Sequence, residues 1–246
     1  MALIVRKLLS CVLLLGCTLA IAASNEQDVA RYIDIFKGND AARHNDAVES
    51  LAWMGLSDAR LFDVIEQRLL AEHEAVVRDR DEKNRVARYI RALGFSGDPK
   101  YLPTISRFVG DRTYDRYART ALQDHPNYSR WNSIISNRGT YDPALSDEAN
   151  RVINMLRADD FLLKRIGAKR VYFKNREPQV LAVLEAQLLA SYTIQDKDAS
   201  DAIAWMAKAL GETGDQRYIP LLQQASHAPD GRVARYANEA LRKLKP

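Results

Sequence analysis

Arg88-Tyr-Ile-Arg-Ala-Leu-Gly-Phe-Ser-Gly-Asp-Pro-Lys-Tyr-Leu-Pro103 realigns without a gap on Trp205-Met-Ala-Lys-Ala-Leu-Gly-Glu-Thr-Gly-Asp-Gln-Arg-Tyr-Ile-Pro220. Such a copy marks a chain built by duplication, whose units bury their apolar faces by stacking on their neighbours. Working outward, Val64-Ile-Glu-Gln-Arg-Leu-Leu-Ala71 aligns with Val183-Leu-Glu-Ala-Gln-Leu-Leu-Ala190, and Arg116-Tyr-Ala-Arg-Thr-Ala-Leu122 with Arg235-Tyr-Ala-Asn-Glu-Ala-Leu241. Upstream, Arg31-Tyr-Ile-Asp-Ile-Phe36 and Arg151-Val-Ile-Asn-Met-Leu156 share only the apolar positions of a helix. The reading divides the chain into a leader at 1–23, a first half at 24–122, an irregular connector at 123–147 and a second half at 148–246.

A weaker period lies inside each half, since Gly55-Leu-Ser-Asp-Ala-Arg-Leu-Phe62 resembles Gly94-Phe-Ser-Gly-Asp-Pro-Lys-Tyr-Leu102 with one glycine inserted. Four units result, with turns near Ser57, Gly97, Arg176 and Gly214 and a spacing of about forty residues, which suits two-helix repeats. Val86, Tyr89, Ile90 and Leu93 share one helical face, as do Ile203, Met206, Ala207 and Leu210. Gly94 and Gly211 are read as helix ends in the left-handed conformation, and Asp98 and Asp215 as N-caps. Pro103 and Pro220, one turn further on, are expected to bend their helices.

The pattern Ala-Leu-Gly-x-x-Gly-Asp-x-[Lys/Arg]-Tyr-[Leu/Ile]-Pro, with a later aspartate and arginine before Ala-x-x-Ala-Leu, resembles the HEAT repeats of phycobilisome lyases and many bacterial binding proteins. The match is good near residues 85–122 and 201–241 and looser elsewhere, where Lys174-Asn-Arg-Glu-Pro178 lacks the glycine turn and Trp53-Met54 replaces Ala-Leu. The resemblance implies an all-α, HEAT/armadillo-like α-α superhelix, a solenoid of two duplicated halves and about four repeats. It also implies that Asp111 with Arg116, and Asp230 with Arg235, form a ladder between stacked repeats.

Met1-Ala-Leu-Ile-Val-Arg-Lys7, the apolar run from Leu8 to Leu19 and the small residues Ala20-Ile-Ala-Ala23 read as a secretory signal peptide. Two processing routes stay open. One is cleavage at Ala22 or Ala23, giving a periplasmic or secreted protein. The other is lipidation of Cys17, because Leu14-Leu15-Gly16-Cys17 partly resembles a bacterial lipobox, and that route gives a membrane-anchored lipoprotein. Both cysteines, Cys11 and Cys17, fall inside the leader, so processing at Ala22 or Ala23 leaves no thiol for redox chemistry or a disulfide. Removing Arg6 and Lys7 lowers the net charge from +4 to +2, with 34 basic against 32 acidic side chains, a balance that argues against a nucleic-acid partner.

His44, His73, His125 and His227 have no metal-ligand spacing and read as surface histidines, so neither a metal nor a cofactor is expected. No catalytic residue stands out, since nucleophile-elbow, His-Glu-x-x-His and glycine-rich phosphate motifs are all missing from the sequence. Arg85, Arg88 and Arg91 drift round one side of a helix, with nearby acids from Asp79 to Asp115 available to neutralise them. In the connector, Tyr128, Arg130, Trp131, Arg138 and Tyr141 suit either an interface or a packing plug.

The expected function is a non-enzymatic, protein-binding or scaffold module exported to the bacterial periplasm or envelope, with another envelope protein as partner and membrane contact only through Cys17. Its proposed binding residues are Arg88, Arg91, Arg116, Tyr117, Arg119, Arg235 and Tyr236, long side chains that could line one groove. The lyase resemblance supplies the alternative, an enzyme that attaches a cofactor or chromophore.

Overall fold

The computed structural model describes residues 25–74 and 80–244. The expected signal peptide and Cys17 lie outside the described residues. Among those residues the fold is all-α, with helices joined by short turns and no strands. The chain forms two compact units: Leu56–Asn132 with the segment before Trp53, and Ser133 onward with Trp53–Gly55.

The first unit holds α1 (25–37), α2 (Ala41–Met54) up to Ala52, α3 (Ala59–Glu74), α4 (Arg80–Phe95) and the short α5 (Leu102–Ser106). It also contains most of α6 (Asp115–Ile135). The second unit holds α7 (Asp147–Arg157), α8 (Phe161–Phe173), α9 (Pro178–Ser191), α10 (Lys197–Gly211), α11 (Ile219–Ala225) and α12 (Gly231–Leu244). In this second unit α8, α10 and α12 pack side by side as one layer. The odd-numbered helices form the other, with α7 on α8 and α9, α9 on α10, and α11 on α12.

Periodicity makes these helices and burial holds them. Val86, Tyr89, Ile90 and Leu93 are fully buried, as are Ile203, Met206, Ala207 and Leu210. Burying each such side chain contributes about 1.5–3 kcal/mol before chain entropy is counted. Starts are capped as the sequence predicts: Asp98 accepts from the Lys100 amide at 2.9 Å and Asp215 from the Arg217 amide at 3.0 Å. Asp160 and Asp196 cap α8 and α10 in the same way.

Gly94 and Gly211 serve a different purpose from the one expected. Both lie within the last turns of their helices, and neither has positive φ; that conformation falls to Gly97 (65°) and Gly214 (74°), in the turns that follow. What Gly94 and Gly211 provide is closeness. A Cβ on Gly94 would stand 2.8 Å from the Ala121 carbonyl oxygen on α6, and one on Gly211 would stand 2.4 Å from Ala240 Cβ on α12. Pro103 and Pro220 also act otherwise than expected, because each stands in the first turn of a new short helix, α5 or α11, after a separate 3-10 turn. A proline there replaces no helical hydrogen bond and so bends nothing.

Residues 123–135, expected to be irregular, continue α6 past Pro126. Their apolar side chains are packed: Tyr128 and Trp131 are buried with rings 5.2 Å apart, and Ile135 is fully buried while Ile134 is exposed. Asn132 donates to the carbonyls of Phe95 and Ser96, closing the end of α4, and Asn154 does the same for Ile134 and Ile135 at the end of α6.

Two of the four histidines are interior, correcting the surface reading. His125 is buried, and His44 links α1 to α4, with Nε2 2.8 Å from the Ile35 carbonyl and Nδ1 2.6 Å from the Tyr89 hydroxyl. The carbonyl can only accept, so Nε2 donates to it, and the single Tyr89 hydroxyl proton is shared between His44 Nδ1 and Glu72. Tyr89 Oη also lies 3.2 Å from Glu72, whose other oxygen takes Arg85 Nε at 2.5 Å. Burial, followed by the Glu72 charge, pushes the Tyr89 phenol pKa up, so this hydroxyl remains a donor.

Two stability predictions follow. Gly211→Ala should destabilise the protein by about 1–3 kcal/mol in denaturant unfolding, through overpacking, while Gly231→Ala, with open space around its Cβ position, should leave stability within about 0.5 kcal/mol. Tyr89→Phe should cost about 1–3 kcal/mol in the same measurement by leaving buried His44 Nδ1 without its donor.

Candidate functional site

On α10, Asp201, Trp205, Lys208 and Glu212 are partly exposed while the residues between them are buried. Their spacing of four, three and four places them on one stripe of the helix. Arg165, Lys169 and Tyr172 form the matching stripe of α8, continued by Arg176 in the turn that follows, and Arg232, Tyr236 and Lys243 that of α12. Because these helices pack side by side, the stripes meet in rungs.

The outer rungs are ionic. Asp201 takes Arg165 at 3.0 Å and Arg232 at 3.1 Å, and at the other end Glu212 pairs with Lys243 while Arg176 donates to the Glu212 carbonyl at 3.1 Å. The middle is aromatic and cationic. Lys208 Nζ stands 4.5 Å from the Trp205 ring centre, 4.7 Å from that of Tyr172 and 5.9 Å from that of Tyr236. Lys169 Nζ lies 4.9 Å from the Trp205 ring centre, and Tyr172 meets Trp205 edge-on at 5.6 Å. Arg235 covers its neighbour Tyr236 at 4.9 Å.

In the first unit the corresponding stripe of α4 is Asn84, Arg88, Arg91 and Phe95. It lines a cavity of about 350 Å³ together with Val48 and Ala52 of α2 and Tyr117 of α6. Arg88 lies 3.7 Å from Glu49 and Arg91 3.5 Å from Asp124, so both arginines are balanced by acids other than those the sequence suggested. Exposed pairs of this kind contribute about 1 kcal/mol or less. Arg91 also covers the Phe95 ring at 5.4 Å, and its Nε is buried without a hydrogen-bond partner.

Of the seven predicted binding residues, Arg88, Arg91 and Tyr117 thus converge on one cavity. Arg116 and Arg119 do not line it; both are exposed, and Arg119 pairs with Asp115 at 2.9 Å one turn back. Arg235 and Tyr236 belong to the second unit's middle rungs. Lys169, Tyr172, Trp205 and Lys208 escaped the sequence reading, although Trp205 and Lys208 occupy the repeat positions of Arg88 and Arg91.

The implied aspartate–arginine ladder is not formed as expected. Asp111 instead accepts from the amides of Thr113 and Tyr114, and Asp230 from those of Arg232 and Val233, both as caps that hold the start of the next helix. Asp230 also takes the Ser200 hydroxyl at 2.7 Å, and the ion-pair ladder runs through Asp201.

A second cavity of the first unit, about 290 Å³, is lined by His44, Arg68, Glu72 and Arg85. Arg68 closes the end of α1 through the carbonyls of Phe36, Lys37 and Gly38, and Arg85 is held by Glu72, so these groups already serve the fold. Among the described residues no three His, Cys, Asp or Glu side chains gather as a metal site would need.

Comparison with known proteins places these features. The PBS lyase HEAT-like repeat matches residues 202–227, which span α10, its turn and α11. Human deoxyhypusine hydroxylase, solved in complex with glycerol, is 15% identical over 88% of this chain and 84% of its own, with a TM-score of 0.36. No curated protein sequence matches. The expectation of a non-enzymatic chain is corrected here: the repeat that matches residues 202–227 is named for a lyase, so the repeat does not exclude catalysis. Among the described residues the chain is all-α, and the segment at residues 202–227 that matches the HEAT-like repeat contributes Trp205 and Lys208 to the aromatic and cationic centre of the second unit.

Proposed function

We propose that this chain is a HEAT-like repeat scaffold, exported to the bacterial periplasm or envelope, that grips a partner protein on the partly exposed stripes of its even-numbered helices. The observation that carries this reading is the first unit's cavity, where Arg88, Arg91 and Tyr117 converge beside Phe95. Arginine and tyrosine are the side chains that most often anchor protein interfaces. Arg91 Nε, buried and without a partner, supplies a donor that an incoming carbonyl or carboxylate would satisfy. The volume of about 350 Å³ suits one or two partner side chains, with Val48 and Ala52 as apolar floor.

Export rests on the leader sequence, with Cys17 as the residue that would tether the protein to a membrane. A second reading, attachment of a cofactor or chromophore by lyase-like chemistry, draws on the name of the repeat that matches residues 202–227. A pigmented product on co-expression with a bilin would favour it.

Two experiments test the proposal. Cross-linking in envelope preparations should trap a discrete partner with the wild type, and Arg88→Glu with Arg91→Glu should reduce its yield about tenfold or more without changing the melting temperature. Parallel loss of yield and melting temperature would instead make these arginines structural. The intact mass of the mature product should begin at Ala23 or Ser24 for the soluble form, or at an acylated Cys17 for the tethered one; a mass retaining Met1 would contradict export.

A further inference from the structure

In the second unit each end of the three-helix stripe holds an acid in an ion pair and the centre holds none. Asp201 balances Arg165 and Arg232 at one end, and Glu212 balances Lys243 at the other. Among the described residues Lys169, Lys208 and Arg235, which lie between them, form no ion pair within 4.0 Å, and Glu239, the remaining acid of that stretch of α12, pairs with none of them. Among the described residues they are in contact with aromatic faces, which attract a cation but carry no net charge, while Asp201 acts on Lys169 and Glu212 on Lys208 from the flanking rungs.

We infer that the Lys169, Trp205, Lys208 and Arg235 centre of the second unit is a binding site for a short peptide segment carrying carboxylates beside an aromatic side chain. The inference rests on the reading of this chain as a protein-binding scaffold and names the chemistry of one contact. The lysines and Arg235 supply the charge that carboxylates complement, while Trp205 and Tyr172, both partly exposed, offer ring surface to an apolar side chain. Phe173, 66% exposed and packed edge-on to Tyr172 at 4.9 Å, extends that surface.

Burial, and then the charge of Arg165, pulls the Lys169 pKa down, with Lys208 adding to the effect and Asp201 opposing it. A carboxylate arriving there would relieve the crowding of like charges. Geometry limits the ligand's length. Three helices at about 8–10 Å spacing span roughly 20 Å, the reach of about six extended residues. The end rungs place an acid on each side of the centre, so a peptide that confines its carboxylates to the centre avoids both.

The test uses the full mature chain and a labelled peptide of repeated Glu-Glu-Phe, with Gln-Gln-Phe and Lys-Lys-Phe counterparts and a single-stranded DNA oligonucleotide as controls. Binding is read by fluorescence anisotropy and by the indole amide signal of Trp205, assigned with Trp205→Phe. The acidic peptide should bind and shift that signal, and Lys169→Gln and Lys208→Gln should each weaken binding about tenfold with the melting temperature unchanged. Four results would overturn the assignment: no binding at about 1 mM acidic peptide, equal binding of the glutamine peptide, equal affinity in the lysine variants, or tighter binding of the oligonucleotide. The first unit's groove is tested separately, since Arg88→Glu with Arg91→Glu should leave Glu-Glu-Phe binding intact if the site lies in the second unit.

Discussion

The close approach of consecutive even-numbered helices, made by glycine on alanine, is the constraint from which the rest of the structure follows. Gly94 rests on Ala121 and Gly211 on Ala240 at distances that exclude a Cβ. Dispersion between such small groups is weak atom by atom, yet it falls off so steeply that a gap of an ångström forfeits much of it. Holding α10 and α12 this close brings their partly exposed stripes within reach of one another, so that Asp201 can serve Arg232 and Lys208 can lie near the Tyr236 ring, while lateral packing of α8 on α10 adds Arg165 and Tyr172.

Duplication then lets one scaffold carry two different surfaces. Arg88 and Arg91 of α4 correspond to Trp205 and Lys208 of α10, while Arg116 and Tyr117 of α6 keep their identities as Arg235 and Tyr236 of α12. In the first unit the stripe arginines are partly balanced by Glu49 and Asp124 around an amphipathic cavity. In the second, replacement of the arginines leaves lysines on aromatic faces without acids between two ionic rungs. The positions are inherited and the chemistry is not.

The fold was legible because its signals are local. The Val86 to Leu93 and Ile203 to Leu210 stripes, the caps at Asp98 and Asp215 and the turn glycines all follow from periodicity and backbone preference within a few residues. What could not be read depends on contacts distant in sequence. The packing role of Gly94 and Gly211 needs the position of alanines nearly thirty residues on, and the same letter equally suits a left-handed helix end. His44 looked like a surface histidine because its partner Tyr89 lies on another helix, 45 residues away. Continuation of α6 through Pro126 was hidden by the proline, whereas Tyr128, Trp131 and Ile135 hold that stretch by burial. For the site, arginine and tyrosine repeats pointed to Arg88, Arg91, Tyr117 and Tyr236. Lys169 and Tyr172 gave no signal, because α8 belongs to a repeat whose sequence has diverged and only lateral packing brings them to Trp205.

The most direct test of the account is a double-mutant cycle between Gly211 and Ala240, read as unfolding free energy. If the contact sets the spacing of α10 and α12, Ala240→Gly should relieve part of the damage of Gly211→Ala, with a coupling of about 1 kcal/mol in the rescuing direction. Effects that add within about 0.5 kcal/mol would show that the two residues do not constrain one another, and would contradict the account.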